Sequence, residues 1–157
     1  MDVDAILREV EQLAGHEDGG GALQRICDLL REKVAHYDWV GYYLAVPEDH
    51  LLVLGPFSGQ PTEHTKIPYG TGICGQAAER RDTFVVPDVT AETNYLACSV
   101  KTKAEIVLPV FDHGEFVGEL DIDSHTRDPF SREDDRLLQS VVKRTASLVA
   151  SILAHIR

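Results

Sequence analysis

Residues 104 to 124, AEIVLPVFDHGEFVGELDIDS, constrain the fold more than any other stretch. Two apolar runs with strand character flank Asp112-His113-Gly114, a turn whose Gly suits a positive φ. The sequence therefore predicts a hairpin, and a three-residue loop sets its register. Phe111 then pairs with Glu115, and counting back places Glu105 opposite Asp121, with Asp123 one step further on the same face. Ile106, Leu108 and Val110 share the other face with Phe116, Leu120 and Ile122, so that side is buried. Like charges directly across a ladder are destabilising by up to about 1 kcal/mol at an exposed pair. Either the acid face is open to water and the acids solubilise an edge, or a cation sits among Glu105, Asp121 and Asp123. An all-oxygen set would favour Mg or Ca over Zn, but there is no EF-hand spacing and no paired His. No metal site is expected; an organic ammonium or a protein Lys fits the acids better.

The chain has 157 residues, 43% of them apolar, with no shift of composition along its length. This predicts one domain over 1–157, with an N-terminal helix and Gly-rich linker in 1–20 and a C-terminal helix over 131–155. A formal net charge of -11 argues against nucleic acid or an anionic membrane as partner, since both require basic faces. The first residues, MDVDAILREVEQL, are acidic and amphipathic rather than a basic leader, and the expected location is the cytoplasm. There Cys27, Cys74 and Cys98 read as thiols or a transient redox pair rather than as a structural framework.

Val3 to Ala14 has helical spacing of apolar residues, and a break at 15–21 separates it from a second helix striped by Leu23, Ile26, Cys27, Leu30 and Val34. Cys27 thus reads as a core thiol. Residues 38–46 and 51–55 form a further hairpin. On its first strand Trp39 and Tyr43 flank the small Gly41, either as core aromatics or as walls of a gap for a small group. Gly70-x-Gly72-x-x-Gly75 matches a dinucleotide fingerprint, but Thr65 to Pro68 is a poor buried strand and hairpins dominate, so the glycines are read as shaping a loop that presents Cys74. Residues 90–103 form a long polar segment around Cys98. Ser131-Arg-Glu-Asp134 opens a last helix whose wide apolar face suggests a dimer seam. The sum is an α+β sandwich: a mostly antiparallel six-stranded sheet flanked by helices.

WVGYYL at 39–44, LGPFSG at 54–59, IPYGTGICG at 67–75, PDV at 87–89, LACS at 96–99 and the central AEIVLPV and GELDIDS together resemble the free methionine-(R)-sulfoxide reductase family of GAF domains. The resemblance implies a GAF-like fold and thiol-dependent reduction of free methionine-(R)-sulfoxide, without a cofactor. It makes Cys98 the nucleophile and Cys74 a recycling Cys, with a thioredoxin-type reductant. Glu105, Asp121 and Asp123 become the acids around the substrate, one of them the proton donor, and Trp39 and Tyr43 the aromatics at its methyl-sulfoxide end. His64 stands where the family has a third Cys, and Ser99 follows the nucleophile where an acid is usual. The alternative is a stand-alone GAF module that senses a small molecule or redox state.

Overall fold

The computed structural model describes residues 1–15, 18–92 and 101–156. Its elements are α1 (Val3–Ala14), α2 (Gly19–Lys33), β1 (Trp39–Val46), β2 (Leu51–Ser58), β3 (Lys66–Pro68), α3 (Gly72–Arg80), β4 (Phe84–Val86), β5 (Ala104–Asp112), β6 (Glu115–Ser124) and α4 (Arg132–Ile156). The strands form one six-stranded sheet in the order β3-β2-β1-β6-β5-β4, antiparallel throughout. Period-two alternation splits the core into two layers. Val40, Tyr42 and Leu44 of β1 point with Ile106, Leu108, Leu120 and Ile122 toward α1, α2 and α4, whereas Trp39, Tyr43 and Val107 point toward α3.

The central hairpin departs from its expected register in an instructive way. Its loop has two residues, because His113 and Gly114 both take positive φ, 49° and 82°, as a type I′ turn requires. Asp112 therefore pairs with Glu115 and Phe111 with Phe116. That one-residue change alone would turn every later side chain of one strand to the wrong face. A bulge between Val110 and Phe111 corrects it: Val110 pairs with Gly118, leaving Val117 as the extra residue. The register thus moves by two, and parity survives. Glu105 lies across from Asp123 rather than Asp121, and Asp121 lies across from Val107. Phe116 joins the α3 side, and Val117 takes its expected place among the helices.

The Gly-rich segment read as a linker is instead the first turn of α2. Asp18 caps it by accepting from the Gly21 N–H at 3.2 Å. Cys27 is fully buried, donates to the Pro56 carbonyl, and has its thiol pushed up by burial. α4 is long and apolar enough by composition to cross a membrane, but its stripe of Leu137, Leu138, Val141, Val149 and Leu153 is buried on the sheet and helices. The apolar width that suggested a dimer seam is taken up in part by α1 and α2.

Asp134 anchors the start of α4. The Ser131 N–H donates to its Oδ2 at 2.8 Å, as in a capping box with Asp in place of Glu, and the Tyr37 hydroxyl donates to Oδ1 at 2.6 Å, with His36 Nε2 at 2.7 Å. Burial pushes this carboxyl up, but the bonds from Tyr37, Ser131 and His36 outweigh it and hold Asp134 below its usual range. A depressed folded-state value stabilises above the unfolded carboxyl value near 3.9, and that contribution is lost as pH falls through the folded value. Asp134→Ala should therefore lower urea-unfolding stability by about 2 kcal/mol or more at pH 7, and the gap from the parent should close at acid pH. A gap that stays constant with pH would show that Asp134 acts only by packing.

Candidate active site

Strand alternation on β6 sends Glu119, Asp121 and Asp123 to the α3 side of the sheet, across from Tyr43, Gly41 and Trp39 of β1. Glu105 enters from β5. All four acids are buried, none more than 2% exposed, which removes the reading of a solvated edge. Glu119 is a fourth acid that the sequence reading passed over, although its alternation with Asp121 and Asp123 was in plain view. Neither oxygen of Glu119 or of Asp121 has a hydrogen-bond partner among the described residues.

α3 closes over these acids and brings Cys74 to them. Gly70, in the turn before the helix, and Gly72, its first residue, take positive φ. Gly75 allows close approach: a Cβ there would lie 2.6 Å from the Pro68 carbonyl oxygen. The three glycines therefore serve helix-to-strand packing, and β3 before them is a short antiparallel edge strand rather than the buried parallel strand of a dinucleotide site. Cys74 Sγ lies 3.8 Å from Glu105 Oε2. Tyr43, His64, Thr71, Cys74, Glu105 and Asp121 line one crevice between α3 and the sheet.

Burial pushes Glu105 well above the usual carboxyl range, and the charges of Asp121 and Asp123 push it further. Glu119 is raised well above that range by burial and by Asp121, with the Cys74 thiol and the Arg81 charge pulling back in part. Asp121 is raised by burial, while Glu105 and the Cys74 thiol, near it without closing a well-formed hydrogen bond, offset part of the rise. The cluster thus holds its protons to higher pH than exposed carboxyls do and titrates as a unit.

Trp39 and Tyr43 are both buried, but they leave no gap between them. The Trp39 ring folds over Gly41, where a Cβ would meet it at 2.4 Å, and stacks on Phe57 at 5.5 Å. Trp39 Nε1 donates to the Gln60 carbonyl and the Tyr43 hydroxyl to the His64 carbonyl. Gly41 therefore seats the indole rather than a ligand, and the two rings form a wall. Cys98 and Ser99 lie outside the described residues; Lys101 and Lys103 beyond them are exposed. Arg81, also unforeseen, caps α3 in the left-handed region and sets its guanidinium 4.3 Å from the Phe116 ring centroid.

A raised folded-state carboxyl binds a proton that the unfolded chain has released, so the ligand-free protein should lose stability as pH rises from about 4.3, the unfolded Glu value, toward neutral. Glu119→Gln should flatten that slope and stabilise the protein at pH 7, as read by urea unfolding across pH. An unchanged slope would show that Glu119 is ionised in the fold.

Residues 18–149 match the model of the GAF domain. The chain is 37% identical over 139 residues to a GAF domain-containing protein A of Dictyostelium discoideum, covering 88% of this chain and 86% of that one. It is 34% identical to the free methionine-R-sulfoxide reductase of Escherichia coli, over 88% of this chain and 82% of the other. The solved free methionine-R-sulfoxide reductase of Neisseria meningitidis, in complex with its substrate, superposes with a TM-score of 0.87 at 33% identity, covering 99% of this chain and 92% of that one.

Proposed function

This chain belongs to the GAF-domain family, among the free methionine-R-sulfoxide reductases, and from that membership we propose that it reduces free methionine-(R)-sulfoxide to methionine. The observation that carries the reading is that buried Glu105 and Asp121 line one crevice with Cys74, while buried Asp123 stands across the ladder from Glu105. Glu105 and Asp121, buried with no Lys or Arg ion pair among the described residues, suit a small molecule that brings its own ammonium, and Trp39 and Tyr43 lie on the same face of the sheet. A binding site of this kind selects a free amino acid, because a neutral amide would leave the carboxylates buried and unpaired.

In the chemistry, the Cys98 thiolate attacks the sulfoxide sulfur while a protonated carboxyl, with Glu105 the first choice, donates its proton to the sulfoxide oxygen, which passes to the Cys98 sulfur as the bonds from methionine's sulfur to that oxygen and to Cys98 break. Methionine leaves and the oxygen stays on Cys98 as a sulfenic acid. Attack by Cys74 on that sulfur forms the disulfide and releases water, the carboxylate that Glu105 has just become taking the Cys74 proton and handing it to the departing hydroxide. Glu105 is so both donor and acceptor, which its place 3.8 Å from Cys74 Sγ supports. A thioredoxin-type reductant, a cytoplasmic setting and a homodimer of single GAF-like domains complete the reading, on the strength of the family resemblance.

The test is turnover of free methionine-(R)-sulfoxide against the S epimer and the N-acetylated R form, with dithiothreitol and then thioredoxin as donor. Only the free R form should be reduced. Cys98→Ser should abolish turnover with the fold intact. Cys74→Ser should keep the first turnover, leave a sulfenic acid that dimedone traps, and lose thioredoxin-supported cycling. Equal rates on the N-acetylated form would overturn the ammonium site, and full activity in Cys98→Ser would overturn the mechanism.

A further inference from the structure

From the sequence, the acids form an all-oxygen donor set, which gave no reason to expect a transition metal. The fold changes that set by packing a thiol into it. Cys74 Sγ, a Glu105 oxygen and an Asp121 oxygen all lie within 4.8 Å of one another, and each of the three residues is buried. Zn²⁺ bonds of about 2.3 Å to sulfur and 2.0 to 2.2 Å to oxygen would set the sulfur and oxygen about 3.5 Å apart around a tetrahedral ion. The Cys74 to Glu105 separation of 3.8 Å is close to that value.

A second observation points independently to a ligand. The Asp121 carboxyl is fully buried, lines the crevice, and has no hydrogen-bond partner on either oxygen among the described residues. Glu119 beside it is in the same condition. Among the described residues no Lys or Arg forms an ion pair with Glu105, Glu119 or Asp121. A single ammonium neutralises one of these charges, whereas a divalent cation neutralises two. His64 lines the same crevice, its backbone carbonyl accepting from the Tyr43 hydroxyl.

We infer that Cys74, Glu105 and Asp121 form a binding site for a borderline divalent metal such as Zn²⁺ or Co²⁺, with water completing the shell. One sulfur among oxygens favours these ions over Mg²⁺ and Ca²⁺, which prefer oxygen alone. The site shares its carboxyls with the proposed substrate ammonium and its thiol with the proposed recycling step, so the metal and the amino acid exclude each other. Metal binding itself does not depend on reductase activity.

The test is titration of the reduced, substrate-free protein with Zn²⁺ or Co²⁺ alone, followed by calorimetry and by the thiolate-to-cobalt charge-transfer absorption. One equivalent should bind, Mg²⁺ should not compete, and Cys98→Ser and Cys27→Ser should leave the cobalt band intact. Cys74→Ser should abolish the band, and Asp121→Asn, which preserves shape, should weaken binding at least about tenfold. A band that survives Cys74→Ser, or binding untouched by Asp121→Asn in a protein that still folds by circular dichroism, would overturn the inference. If metal binds as expected but free methionine does not displace it, the metal site stands and the ammonium reading falls.

Discussion

Parity in the central hairpin is the constraint on which the rest depends. With its two-residue turn and no bulge, β5 and β6 would disagree about which face is which, and one strand would drive its carboxyls into the helical core. Val117, the extra residue, restores the agreement. Glu105, Glu119, Asp121 and Asp123 then all face α3, while Ile106, Leu108, Leu120 and Ile122 all face α1, α2 and α4. The same chain segment thus builds the main core and the candidate site, and a one-residue error would destroy both.

Four carboxyls buried together oppose folding unless they hold protons or a cation, since the penalty for an unpaired buried ion is several kcal/mol. The extensive apolar layer on the helical side supplies the stability that tolerates them, and the raised carboxyl values report how the ligand-free protein relieves the strain, by staying protonated. Such a cluster is primed for a cation and for proton transfer together. It can exchange a proton for an ammonium on binding and return a proton to a sulfoxide oxygen in the reaction. The thiol that α3 places beside it adds redox chemistry and metal affinity to the same crevice, and Gly75 is what lets the helix come close enough to do so.

Much of this was legible in the residues. The alternation in GELDIDS announced a face of acids, the stripes of α1, α2 and α4 announced the helices, and the spaced motifs announced the family. What stayed hidden depended on backbone details with no signature in composition. Asp112-His113-Gly114 suits a three-residue loop as well as a type I′ turn, and no residue type marks Val117 as a bulge. The two errors cancelled in parity, so the acids were on the correct face for an incomplete reason. Gly19 to Gly21 looked like a linker because a capping Asp18 can hold a glycine turn that propensity disfavours. The gap beside Gly41 was real in sequence, but the neighbouring Trp39 ring filled it. Glu119 stands one step from Asp121 on the same face, just as Asp123 does, and was legible from the same alternation.

The central claim is that a protonated acid cluster receives the ammonium of a free amino acid. The most direct measurement is calorimetric binding of methionine at neutral pH in buffers of different ionisation enthalpy, which counts protons exchanged. The account predicts release of about one proton per methionine bound, as the ammonium displaces a proton from the coupled carboxyls. Binding whose heat does not change from buffer to buffer, or binding that takes up a proton, would contradict it.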